Sequence, residues 1–164
     1  MLFRSTGTAV RITSLASALM VLGRRQVQRW LQLLLFARNP PGTAFPSPLL
    51  QLAATRGRFM ELLAAGESGL KDHAFLTGIM SLIDALLGMP LAEILKGLPV
   101  APQVREALLE RKGTLGRMLL LAEAIDRDET PETGALISSW GMARVNRAHI
   151  EALRWANNIS KAGL

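Results

Sequence analysis

Apolar residues return every three or four positions along most of this chain, the period of a helix that buries one face, and no stretch alternates in the manner of a strand. The pattern predicts a first helix from Thr13 or Ser14 to Gly23, with Leu15, Leu19 and Leu22 in register, and a second from Arg24 to Ala37. The second sets Val27, Trp30, Leu31, Leu34 and Leu35 on one face and Arg25, Gln28, Arg29 and Gln32 on the other. Asn39-Pro40-Pro41-Gly42 stops it. Ser47-Pro48 then supplies a cap and a first-turn proline for a helix reaching about Ala65.

Gly66 and Gly69 interrupt the chain, and Asp72 reads as the N-cap of a helix from His73 to Leu87. Phe75, Leu76, Ile79, Met80, Leu82, Ile83, Leu86 and Leu87 cover nearly its whole circumference, so it is expected to be the central, most buried helix. Shorter pieces follow at Leu91–Leu98 and Pro102–Arg111, then a helix from Thr114 to Arg127 with Leu115, Met118, Leu119, Ala122 and Ile125 facing inward. Thr130-Pro131-Glu132 restarts a helix, and a last one, Arg144 to Ser160, carries Ile150, Leu153, Ala156 and Ile159. The fold class is all-α, and 164 residues fit one domain that buries roughly 70% of its unfolded surface.

Charge divides the chain unevenly. Residues 1–60 hold eight Arg and no acid, whereas residues 61–164 hold eleven basic and thirteen acidic residues, so the two parts carry +8 and −2. An Arg-rich, acid-free start with an apolar run from Ile12 to Leu22 is also compatible with a targeting peptide, but Arg24, Arg25 and Arg29 continue inside a strongly periodic helix and fit a folded core better. The absence of cysteine excludes disulfides and thiolate ligands, with the cytoplasm as the default compartment. The longest apolar candidate for a membrane span, His73 to Ala92, is broken by Asp84 and Pro90.

Candidate chemistry is thin. The two histidines, His73 and His149, lie far apart without carboxylates at ligand spacing, and both read as surface or capping residues. No Gly-x-Ser-x-Gly elbow and no phosphate-cradling loop occur; Gly113 and Gly116 read as helix-start glycines. Asp126, Asp128, Glu129 and Glu132 gather at a turn without the spacing of a calcium loop and read as a solvated helix junction. Arg24, Arg25 and Arg29 beside Trp30 raise nucleic-acid binding as an alternative, although Trp30 shares the apolar face with Leu31 and Leu34. On the central helix Thr77, Ser81, Asp84 and Gly88 form a thin polar stripe, read either as a solvent edge or as a vestigial site.

The stretch Ala74–Gly88 resembles the central helix of HDOD domains, helical output domains related to the HD metal-dependent phosphohydrolases. The stretch Ala18–Ala37 is similar to the segment those domains carry behind an EAL cyclic di-GMP phosphodiesterase domain. Leu49–Ala64, Val104–Glu123 and Ala152–Ala156 extend the likeness over about Ile12 to Ser160. The resemblance implies an HD-domain-like helical bundle, N-terminally truncated, with residues 1–11 a poorly ordered remnant and 12–164 a partial HDOD domain. Catalytic relatives place a metal-binding His-Asp pair after a Gly-aliphatic-aliphatic run; Ser81 and Leu82 stand at those positions here.

The expectation is therefore a module without catalysis, metal or other cofactor, in which Thr77, Ser81, Leu82 and Asp84 mark a degenerate site and Arg24, Arg25 and Arg29 form a contact surface. The partner implied is a protein, either an EAL-type phosphodiesterase domain or a second copy. Nucleic acid and membrane are not expected as partners, and residual phosphohydrolase activity is the remaining alternative. The EAL domain and opening HDOD helices are expected to be absent, with Phe3-Arg4-Ser5 their last trace, and apolar faces that would meet those helices should be open or covered by another copy.

Overall fold

A computed structural model describes residues 48–67, 69–96, 98, 100–127 and 130–162. The two helices expected before Ala37, with Arg24, Arg25 and Arg29, lie outside the described residues. Among the described residues eight helices follow one another: α1 (Pro48–Leu63), α2 (Leu70–Met80), α3 (Ile83–Leu87), α4 (Leu91–Lys96), α5 (Pro102–Glu110), α6 (Gly113–Arg127), α7 (Thr130–Ile137) and α8 (Met142–Ala162). No strand occurs among the described residues, and the protein is all-α.

The centre of the bundle is α1, not the helix that the apolar circumference at 73–87 predicts. α1 packs between α2 and α8 and also touches α6, and its buried residues run around the helix: Leu50, Ala53, Ala54, Phe59, Met60 and Leu63, with polar Thr55, Arg56 and Glu61 among them. The expected helix from His73 to Leu87 is two helices. The first starts earlier, at Leu70, because Gly69 takes the left-handed conformation (φ 79°) and ends the turn there, which puts Asp72 in the first turn and not at the cap. It ends at Ser81, whose hydroxyl donates to the Gly78 carbonyl at 2.7 Å, the acceptor a continuing helix would give to the Leu82 amide. Leu82 leaves the helical conformation (φ −120°, ψ 10°), and α3 begins afresh at Ile83.

Two glycines fix how α1 and α2 meet. A Cβ on Gly78 would lie 2.6 Å from both Cα and N of Gly57 and 2.7 Å from the Arg56 carbonyl carbon. A Cβ on Gly57 would lie 2.7 Å from Cγ1 of Ile79. The helices thus cross backbone against backbone, closer than any side chain permits. On its opposite side α1 is held by α8: Phe59 meets the His149 ring edge-on (centroids 5.9 Å apart), and Gln51 donates to Asn157 at 2.5 Å. Arg144 donates to the carbonyls of Leu63 (2.5 Å) and Ala65 (2.9 Å), satisfying the end of α1 that has no intrahelical donors.

The rest of the core forms around α6. Leu115, Met118, Leu119 and Ala122 are buried as the periodicity predicts, and Ile125 is half-buried. Gly116 lets the start of α6 rest on the Arg111 backbone, where an added Cβ would fall 2.2 Å from the carbonyl carbon. Arg111 itself is left-handed (φ 55°) and is secured by Glu123 through two charge-assisted bonds, 2.7 and 3.2 Å. On α8 the buried face is Val145, Ala148, Ala152 and Ala156, so of the apolar residues the period picks out Ala156 is buried while Ile150 and Leu153 are exposed. Met142, Leu49, Leu87, Met89 and Leu109 are exposed as well. No helix among the described residues is long and apolar enough to cross a membrane.

The close crossing predicts opposite results from two glycine replacements. Gly78→Ala should destabilise the fold by about 2 kcal/mol, because the obstacle is backbone that cannot rotate away. Gly134→Ala, on α7 with no neighbour within 4 Å of the new methyl, should stabilise it by about 0.5 to 1 kcal/mol. Urea unfolding of the two variants measures both.

Candidate functional site

Arg56 lies on the inward side of α1, flanked at helical spacing by Ala53, Phe59, Met60 and Leu63, and only 9% of it is exposed. A guanidinium cannot lose its charge in such a place, so it must be paired. Its Nε donates to Oδ2 of Asp126 at 2.6 Å, and its Nη1 donates to Oγ of Ser81 at 3.0 Å. The side chain of Asp126 is 18% exposed, although the residue sits at the open end of α6. Three helix segments are therefore joined at one buried cation: the middle of α1, the break between α2 and α3, and the last turn of α6.

The Gly57–Gly78 crossing creates this arrangement. Because Gly78 admits the Arg56 backbone, Ser81, three residues further along α2, arrives within reach of the guanidinium. The polar stripe read from the sequence does not survive as a solvent edge. Thr77 is fully buried with its hydroxyl donating to the His73 carbonyl (2.7 Å), and Ser81 is buried in the ion-pair network. Leu82 is half-buried, and Asp84, beyond the break and partly exposed, accepts from the Ala85 amide (2.8 Å). No hydrogen bond among the described residues joins Thr77 or Asp84 to the Arg56 cluster, so of Thr77, Ser81, Leu82 and Asp84 it is Ser81 that bonds to it.

The acidic turn divides as well. Asp126, expected in a solvated junction, turns inward to Arg56; Asp128 and Glu129 lie outside the described residues. Both histidines are half-buried: His73, near the start of α2, has Nδ1 3.0 Å from the Gly69 carbonyl, and His149 packs against Phe59. A signal for Arg56 did exist in the sequence. It occupies an apolar stripe position, where an arginine demands a carboxylate partner, but nothing in the sequence pointed to Asp126, 70 residues away.

A metal does not fit this cluster. Ser81 offers a neutral hydroxyl and Leu82 no donor, and the one carboxylate, Asp126, already holds a cation at 2.6 Å. Among the described residues no group of three or more His, Asp or Glu could hold a metal ion. Beside the ion pair, between Phe59, Ala122, Ile125 and His149, the open volume is about 10 Å³, room for one water. A second ionic cluster ties α1 to α8, where Arg58 donates to Glu61 (2.8 Å) and Glu151 (2.6 Å). Burial pulls the Arg58 guanidinium down, but its bonds to Glu61 and Glu151 outweigh it and hold the group above its ordinary value, so Arg58 stays charged at every working pH.

Comparison with known proteins finds two relatives that match nearly the whole chain. The chain is 30% identical over 157 residues to the cyclic di-GMP phosphodiesterase CdgJ of Vibrio cholerae, covering 93% of this chain and 36% of that protein. It is 29% identical over 154 residues to the uncharacterized protein YuxH of Bacillus subtilis, covering 93% of this chain and 38% of that protein. The chain thus spans little more than a third of the length of these relatives. No family model matches it, and no solved structure is significantly similar.

The buried pair predicts a thermodynamic cycle. Asp126→Leu should cost about 3 kcal/mol by leaving the Arg56 guanidinium buried without its carboxylate, while the double variant Arg56→Met with Asp126→Leu should recover most of that loss. Urea denaturation of both single variants and the double variant gives the coupling; additive losses would show that the two side chains act independently.

Proposed function

We propose that this chain is a non-catalytic signalling module of the HDOD type that acts through protein contacts in cyclic di-GMP signalling. The observation that carries the reading is the Arg56 cluster. At Ser81, where the resemblance places a metal-binding pair, the chain presents a guanidinium bonded to Asp126, a fixed cation in the position where a metal would need its ligands. Thr77, Ser81, Leu82 and Asp84 are on this reading the remains of a site whose charge balance has been taken over by Arg56.

The similarity to CdgJ, a protein named for cyclic di-GMP hydrolysis, supports the signalling context, and the all-α bundle supports the domain type. The partner proposed is an EAL-type phosphodiesterase domain or a second copy of the chain. The cytoplasm is the proposed compartment.

Two measurements test this. Purified chain incubated with cyclic di-GMP and manganese should give no linear dinucleotide by chromatography, and manganese titrated into it should give no binding heat. Added to a purified EAL-type phosphodiesterase domain, the chain should change that enzyme's rate in a saturable manner. Turnover by the chain alone would overturn the non-catalytic reading; an unaffected phosphodiesterase would overturn the partner.

A further inference from the structure

The outward side of α8 carries three exposed large apolar residues. Met142 (55% exposed), Ile150 (51%) and Leu153 (42%), with Asn146 among them, are spaced four, four and three residues apart in chain order and share one face of the helix. Arg147 and Arg154, seven residues apart, run along the outer edge of that face. Both are exposed, and among the described residues neither has an ion-pair partner. Glu151, the one acid on this helix, is committed to Arg58.

At its N-terminal end the stripe runs into a concavity. Met142 and Asn146 form one wall of an open groove of about 310 Å³, completed by Ile125, Ile137, Val145 and His149 from α6, α7 and α8. The groove is large enough for a bulky apolar side chain. It is distinct from the Arg56 cluster, with which it shares His149 and Ile125 as a common wall.

We infer that this face, the groove with the Met142–Ile150–Leu153 stripe and its arginine edge, docks an acidic amphipathic helix of another protein, anchored by one large apolar side chain in the groove. Charge selects the occupant. Residues 1–47 of this chain carry six arginines and no acid, and the same face of a second copy is equally basic, so neither offers a carboxylate to Arg147 and Arg154. A bilayer surface offers no protruding side chain for a concave groove. A nucleic acid would satisfy the arginines but leave Ile150 and Leu153 in water. An acidic helix with apolar anchors satisfies all three features, in the manner of helix-in-groove recognition. The inference deepens the reading of the chain as a contact module and rests on it.

The probe is a fluorescent peptide of about 18 residues, roughly 27 Å as a helix, with Leu and Trp on one face and Glu elsewhere, and a twin with Lys in place of Glu. Fluorescence anisotropy with the full chain should show the Glu peptide binding about tenfold or more tightly than the Lys twin. Arg147→Glu with Arg154→Glu should reverse that preference, and Ile150→Asp with Leu153→Asp should weaken both peptides. All four substitutions are at exposed positions, and circular dichroism checks that the helices persist.

Equal affinity for the two peptides, or none for either, would overturn the inference. So would stronger binding to vesicles of anionic lipid than to the Glu peptide, or a dimer in sedimentation that Ile150→Asp dissolves. Turnover of cyclic di-GMP alongside selective Glu-peptide binding would remove the non-catalytic reading and leave the surface standing. No turnover with no peptide selectivity would do the reverse.

Discussion

The close approach of α1 and α2 at Gly57 and Gly78 is the constraint on which the rest of the bundle depends. Two helices separated by side chains sit 8–10 Å apart, and at that distance a residue next to the contact reaches only its immediate neighbours. With a Cβ removed from each, the backbones touch, and the side chain of Arg56 is carried across α2 to the point where that helix ends. The helix ends there for a related reason, since the Ser81 hydroxyl both takes the Gly78 carbonyl and receives the guanidinium. One pair of glycines thus sets the crossing, the break in the helix and the location of the buried charge.

The class of the fold was legible from periodicity, and so were most helix boundaries after Pro90, because capping residues, prolines and glycines act locally. Errors arose where tertiary partners decide. The apolar circumference of residues 73–87 suggested the central helix, but a hydrophobic surface says only that a segment is covered and not that its hydrogen bonding is continuous; the side-chain bond of Ser81 is invisible to periodicity. On α8 the apolar period picks out Ile150, Leu153 and Ala156, yet of these only Ala156 is buried, because small residues, Ala148, Ala152 and Ala156, face inward and Ile150 and Leu153 stay on the outside. Arg56 was detectable as an anomaly on an apolar stripe, whereas its partner was not, since nothing local ties residue 56 to residue 126. The contact surface expected at Arg24, Arg25 and Arg29 falls outside the described residues.

A fixed guanidinium and a bound metal ion are different solutions to the same electrostatic problem. Either neutralises a carboxylate and gives nearby helices a shared anchor. A metal keeps coordination positions that water or substrate can enter; a guanidinium directs its planar donors to fixed acceptors and leaves no vacancy. It also needs no loading step, so the tie between α1, α2 and α6 is present as soon as the chain has folded.

The bonds between α1 and α8 have a temporal side. Gln51 with Asn157, Arg58 with Glu151 and Arg144 with the Leu63 carbonyl join residues 106, 93 and 81 positions apart. Contacts of that span cannot form until the last helix has left the ribosome, and each must overcome the entropy of closing a long loop. The middle helix of the bundle thus waits, half-covered, for the final helix to be made, and a nascent chain stalled within α8 would expose the face that α8 conceals in the finished protein.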